Sequence, residues 1–309
     1  MTHVPLTAFG TETFGRLQAA MLHVPAIAIS NINDITAGYY LFDTVPVPEK
    51  YWAEQENYKK LLQQQGVRVY ELADFVQNER TRLEELASLT YMHDTAVITK
   101  QGAVLSKMGY GRAGEELVVK EALINLGVPV CFEFSELDQF EGFLALSPQT
   151  ALIACTERHK AVSVENFLPQ GLTLFNEIVY VDVYKARRYM HADMLFGKVN
   201  SNLALAYLPA IRSAWHITRE GRQEIADFRQ FMFERNLELI AVSEHEQQNW
   251  ACSFVPIDNN NLIHYDIALS AKTKRILAGK GVNVIEFHPE ALLAGGGSLR
   301  CLTLMLLRK

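Results

Sequence analysis

The chain has 309 residues, 49% of them hydrophobic and 21% charged, a balance that supports a sizeable core and excludes a disordered or fibrous chain. Its formal net charge is −6 and its Lys and Arg residues form no basic stripe, which argues against nucleic acid as a partner. No apolar stretch reaches the ~18 residues that a membrane span needs, so no membrane partner is expected either.

Cys131, Cys155, Cys252 and Cys301 are widely spaced and include no C-x-x-C pair. That pattern argues against a disulfide scaffold or a structural zinc site and fits reduced thiols. The run Met1-Thr-His-Val-Pro-Leu-Thr7 lacks a charged region followed by a long apolar stretch, so no secretory leader is expected and a cytoplasmic location is. No low-complexity linker divides the chain, and residues 1–309 read as one domain.

A weak unit recurs along the chain: two short apolar strands, an amphipathic helix, then a strand after Gly or Asn. The first copy has a strand over 17–23, a helix over 49–65 stopped by Gly66, and a strand over 67–72. The second has strands over 95–98 and 103–107 around a Gly102 turn, a helix over 115–126 stopped by Gly127, and a strand over 128–133. In the third, strands over 143–146 and 151–155 precede a helix near 161–168 and a strand over 172–175. The fourth has strands over 194–198 and 203–207, a helix over 222–235 and a strand over 237–242. The fifth has strands over 251–256 and 262–265 around an Asn-rich turn, a helix over 271–278 and a strand over 282–287. A last strand over 301–307 is placed to join the first unit. Five ββαβ units predict an α/β fold of the five-bladed, pseudo-symmetric propeller kind, because closure into a ring protects strand edges. The same alternation also fits an open α/β sheet.

The segment Gly295-Gly-Gly-Ser-Leu-Arg-Cys301 delivers a cysteine after a glycine-rich bend, where a nucleophile would sit, although a free cysteine also serves as a small core residue. His191 and Asp193 form a His-x-Asp triplet that, on a strand, would turn both side chains to one face. A carboxylate beside a histidine suits general acid–base work; a metal-binding or merely solvated pair fits the same triplet. Asp94, Glu141 and Asp193 each precede an apolar strand at the same point of their repeats. Single acids there would face solvent, but three acids and a histidine at equivalent places suggest convergence. Converging carboxylates repel unless a cation lies among them, and with no metal motif present a planar guanidinium is the natural candidate. Arg112, in a glycine-loosened loop, and Arg158, just after a strand, are candidates for holding an anionic tail of the ligand, or are ordinary surface arginines. The Gly109-Tyr-Gly-Arg112 segment lacks the spacing of nucleotide-binding glycine motifs, and no cofactor is implied.

In family order, these motifs resemble the guanidino-group-modifying superfamily, and within it most closely the arginine deiminases. The resemblance rests on His93-Asp94-Thr-Ala-Val-Ile, Met108 with Arg112-x-x-Glu115, Glu141-Gly142, His191-Ala-Asp193 and the terminal Gly-Gly-Gly-Ser-Leu-Arg-Cys301-Leu-Thr, and it runs from about Glu12 to the C-terminus. It implies a five-bladed α/β propeller with its site on the axis. It further implies that Cys301 attacks a guanidino carbon held by Asp94 and Asp193. His191, oriented by Glu141, would serve as acid and then base, and a thiouronium intermediate would hydrolyse to a ureido product. Arg112 and Arg158 fall where arginine-type substrates have their carboxylate held. The sequence departs from the pattern in three ways: Glu141-Gly-Phe-Leu144 replaces Glu-Gly-Gly-Asp, His93 replaces an arginine, and the helical insertion of many bacterial arginine deiminases is missing. The resemblance implies a small-molecule guanidino substrate, and the departures leave open whether it is free arginine. Amidino transfer to an amine, or guanidino binding without catalysis, stays open, as does homo-oligomerisation.

Overall fold

A computed structural model describes residues 5–309; the first four residues of the N-terminal run read above for a leader lie outside the described residues. Among the described residues the strands form five separate sheets in a mixed α/β fold. In each sheet an antiparallel strand pair is followed by a helical crossover to a parallel third strand, the connection that parallel pairing requires.

The first sheet joins the two ends of the chain: Leu304–Arg308 lies antiparallel to Leu17–Leu22, which pairs in parallel with Arg68–Glu71. Its crossover helix, Pro48–Gln64, starts with proline at its first position, where the missing N–H costs no helical hydrogen bond. The second sheet holds Ala96–Thr99, Gly102–Leu105 and Val130–Phe132, with helix Glu115–Leu126 as crossover. The fifth holds Val255–Pro256, Asn261–Tyr265 and Asn283–Phe287, with helix Ala271–Gly279 capped by the Ser270 hydroxyl, which accepts from the Thr273 N–H at 3.2 Å.

The third and fourth units differ from the sequence reading. Leu172 belongs to a helix, Ala161–Leu174, that runs on through Pro169, and the third strand is Glu177–Val183. Gly171 is the reason: a side chain there would press on Ile178, so glycine lets the helix lie close against the strand instead of ending it. Leu144–Ala145, Thr150–Cys155 and Glu177–Val183 make the three strands of this sheet, and a hairpin, Ile211–Thr218 with Gly221–Glu224, extends it to five. The helix expected over 222–235 is therefore mostly wrong. Arg222 lies on a strand because its guanidinium stacks on Trp215 at 4.6 Å and Tyr180 at 5.0 Å. Asp227 then caps a six-residue helix, Phe228–Phe233. That helix links Phe196–Lys198 and Leu203–Ala206 to Glu238–Ala241 in the fourth sheet.

The last strand begins at Leu304, so Cys301 lies in a turn ahead of it rather than on it. Val97, Leu144, Lys198, Pro256 and Leu304, one from the first strand of each unit, border a common cavity. No helix of the described residues is long and apolar enough to cross a membrane.

Candidate active site

Cys301 is buried in the turn between the glycine run and the last strand. Of the three glycines only Gly296, at φ 69°, uses a left-handed backbone conformation. Gly295 and Gly297 are needed for space, because a Cβ on either would strike the Tyr91 ring. The turn is held by the His93 N–H donating to the Cys301 carbonyl at 2.9 Å and by Tyr58, whose hydroxyl meets Thr303 Oγ1 at 2.5 Å. Ser298 Oγ lies 3.3 Å from Cys301 Sγ, and Asp193 Oδ2 3.9 Å. Burial, then Asp193 and Asp94, push the thiol up to about 12, so the resting group is neutral at pH 7.

His191 and Asp193 do converge on this pocket, but a single turn of 3-10 helix, Ala192–Met194, places them rather than a strand. His191 bridges two carboxylates: Nδ1 is 3.3 Å from Asp94 Oδ1, and Nε2 is 2.9 Å from Glu141 Oε2. Burial opposes charge on the ring, but Asp94 and Glu141 outweigh it and raise the histidine above its ordinary value. For Glu141 burial also opposes charge, and the His191 hydrogen bond with Arg158 and Arg112 overcomes it, holding the carboxyl well below the usual range. Asp193 spends Oδ2 on the Ser253 hydroxyl at 2.5 Å, whereas its buried Oδ1 has no hydrogen-bond partner.

Arg112 and Arg158 both reach the site, turned inward. Arg112 donates to Asp94 Oδ2 at 2.6 Å, to the Tyr91 carbonyl at 2.7 Å, and pairs with Glu115 at 2.8 Å. Arg158 pairs with Glu141 at 2.7 Å and donates to the Tyr110 carbonyl at 3.0 Å. Both guanidinium groups therefore brace the site carboxylates. All seven residues singled out from the sequence form one buried network: Arg158–Glu141–His191–Asp94–Arg112 through ion pairs, with Asp193 and Cys301 alongside.

The family model for arginine deiminase matches residues 73–308, a span that includes all seven. The chain belongs to the arginine deiminase family. It is similar to the arginine deiminase of Listeria welshimeri, 25% identical over 261 residues that cover 74% of this chain and 63% of that protein. The chain thus spans about three-fifths of the length of the curated relatives it matches, 63% and 62% for two of them. In fold it is similar to the N-terminal domain of ArgZ bound to product, an arginine dihydrolase from the ornithine–ammonia cycle in cyanobacteria: TM-score 0.69, 19% identity, 93% of this chain and 96% of that one. Dimethylarginine dimethylaminohydrolase, as an adduct with 4-chloro-2-hydroxymethylpyridine, is another neighbour, at TM-score 0.66 and 16% identity over 93% of this chain and 99% of that one.

In this family member several site residues escaped the sequence reading. Ser253 and Ser298 link Asp193 to Cys301, with 2.6 Å between their hydroxyl oxygens. Ser298 could have been found from its place in the cysteine motif; Ser253 carries no local signal. Arg187 borders the pocket with Cys301, His191 and Asp94, and pairs with Asp43 at 3.0 Å on the rim. Donor atoms of Asp94, His191 and Asp193 lie within 4.8 Å of one another, so this trio could hold either a metal ion or an organic cation.

Proposed function

We propose that this chain is a cysteine-dependent hydrolase of the guanidino group of arginine or an arginine-like compound, working through a covalent thiouronium intermediate. One observation carries the reading: the Cys301 thiol lies 3.9 Å from Oδ2 of Asp193, a buried carboxylate whose other oxygen has no partner, beside a histidine clamped between two carboxylates. A guanidinium N–H is the group that satisfies such an oxygen, and a guanidinium already lies on Asp94, that of Arg112. This favours an organic cation over a metal at the trio.

The neutral thiol is poised to ionise when the cation arrives. Burial and two carboxylates hold its proton on; a positive charge placed between them and the sulfur lowers its pKa. The thiol gives its proton to solvent as the cation binds, and the thiolate attacks the guanidino carbon. His191, kept protonated, gives its proton to the leaving nitrogen as the C–N bond breaks, releasing ammonia or an amine. The neutral ring then takes a proton from water, which attacks the thiouronium carbon. Collapse breaks the C–S bond and expels the thiolate; the proton left on the product oxygen is released, giving the ureido product, and the thiolate takes up a proton to restore the neutral thiol. In this scheme Glu141 keeps His191 oriented, Asp94 and Asp193 hold the cation, Arg112 and Arg158 brace those carboxylates, and Arg187 on the rim is placed for an anionic tail.

The architecture we propose around this site is a closed ring of five ββαβ units formed by residues 1–309 as one catalytic domain. It is supported by the five separate sheets, by the pairing of the last strand with the first, and by the cavity that all five units border. Four free thiols fit a reducing, cytoplasmic compartment. The test is a panel of guanidino compounds assayed for ammonia, amine and ureido product with the wild type and Cys301→Ala. The variant should lose turnover at least a thousandfold while folding normally. Retained turnover overturns the mechanism, and flux that rises with an added amine and yields a new guanidine reassigns the chain to amidino transfer.

A further inference from the structure

Behind the candidate active site lies the cavity that the five units share, and its charge is one-sided. Lys198, Arg300 and Arg308 all border it. Arg308 is buried and Lys198 is partly so, yet among the described residues neither has a carboxylate within ion-pair distance. Arg308 donates to the Gly15 carbonyl at 2.8 Å and to the Pro256 carbonyl, and Lys198 to the Leu146 carbonyl; these partners are neutral. Arg300 has Asp193 at 3.9 Å, with Asp94 farther off, and the anion nearest in effect to Arg308 is Asp258, which is itself paired with Arg16 at 3.1 Å. The other two cations both lie over the Phe14 ring, Lys198 at 5.5 Å and Arg308 at 5.1 Å from its centre.

Buried charges are ordinarily paired, because an ion taken out of water loses its solvation. Here two are unpaired and a third is half-paired, around open space. Burial and the neighbouring Arg308 lower the Lys198 pKa to about 8, as expected for cations that lack a counter-charge. Cys301, His191 and Asp94 do not border this cavity; it adjoins the candidate active site through His93, whose N–H holds the Cys301 carbonyl, and through Arg300, which reaches Asp193.

We propose that this cavity is a binding site for a small divalent oxyanion of the phosphate or sulfate type. The charge count selects the class: two uncompensated cations, one a planar guanidinium suited to paired oxygens, match a dianion and leave a halide one charge short. The proposal does not depend on the reaction assigned above. The experiment is a titration of the full chain with sodium phosphate, sodium sulfate and sodium chloride at matched ionic strength, read as thermal midpoint and by calorimetry. Phosphate and sulfate should raise the midpoint saturably and chloride should not. Lys198→Gln and Arg308→Gln should each weaken the apparent Kd at least tenfold, with Lys272→Gln on the surface as the unaffected control. If Arg308→Gln fails to fold, because it also ties down two carbonyls, Lys198→Gln alone decides. A midpoint that does not saturate, an equal response to chloride, or an undiminished response in Lys198→Gln overturns the proposal.

Discussion

Glu141 is the residue on which the charge balance of the site turns, since it holds both His191 and Arg158 while buried. Glu141→Gln leaves a buried arginine and a buried histidine each short of a charge, and should cost about 3–5 kcal/mol in urea unfolding. It should also move the alkaline limb of the kcat profile to lower pH, because His191 then holds its proton less tightly. A limb that stays in place would show that Glu141 does not set the protonation of His191. The same pair predicts a stability window. The folded pKa of His191 is raised above 6.5, so its contribution is complete below that value and is lost as pH rises through the folded pKa. The folded pKa of Glu141 is depressed below 4.5, so its contribution is complete above that value and is lost as pH falls through the folded pKa. The stability difference between wild type and His191→Asn should therefore be largest between these two ordinary values, pH 4.5 and 6.5. A difference that is flat from pH 4 to pH 9 would count against the pairing.

At the scale of the element, the glycine run is shaped by what it passes. Gly295 and Gly297 skirt Tyr91, and Gly296 takes the left-handed turn beside Asp43. Gly297→Ala forces either Tyr91 or the Cys301 turn to move. Overpacking of this kind costs about 1–3 kcal/mol. The larger effect should fall on turnover, because a displacement of the order of 1 Å can lower a rate about a hundredfold. Steady-state kinetics beside a thermal melt separates the two: loss of kcat greater than tenfold with a small shift in midpoint is expected, and unchanged kcat would show that the turn does not set the sulfur position.

On the scale of the whole molecule, the first sheet ties the chain's last strand to its first. Leu306 is fully buried in that strand, and Leu306→Ala should cost about 2–5 kcal/mol in urea unfolding, with loss of one cooperative transition rather than local fraying. Reading the Asp94, His191 and Asp193 trio as a seat for an organic cation also predicts that exhaustive chelation leaves ammonia release unchanged. Activity lost to chelator and restored by a divalent metal would instead assign the trio to a metal ion.

The sequence alone determined the repeating ββαβ order, most strand positions and which residues gather at the candidate site. Glycine stops, apolar runs and the placing of acids ahead of strands are local signals, and local signals survive in a linear text. It misplaced elements where a distant partner overrode the local rule. Arg222 went to a strand because Trp215 and Tyr180 were there to stack on it, and the helix passed Pro169 because Gly171 let it pack on Ile178. Which charges meet was decided by tertiary structure alone. Arg112 and Arg158 read equally well as tail-binding or surface residues, and only the fold set them against Asp94 and Glu141. Ser253 and the uncompensated Lys198 and Arg308 carry no signal in sequence, because satisfaction of a buried group depends on neighbours brought from far along the chain.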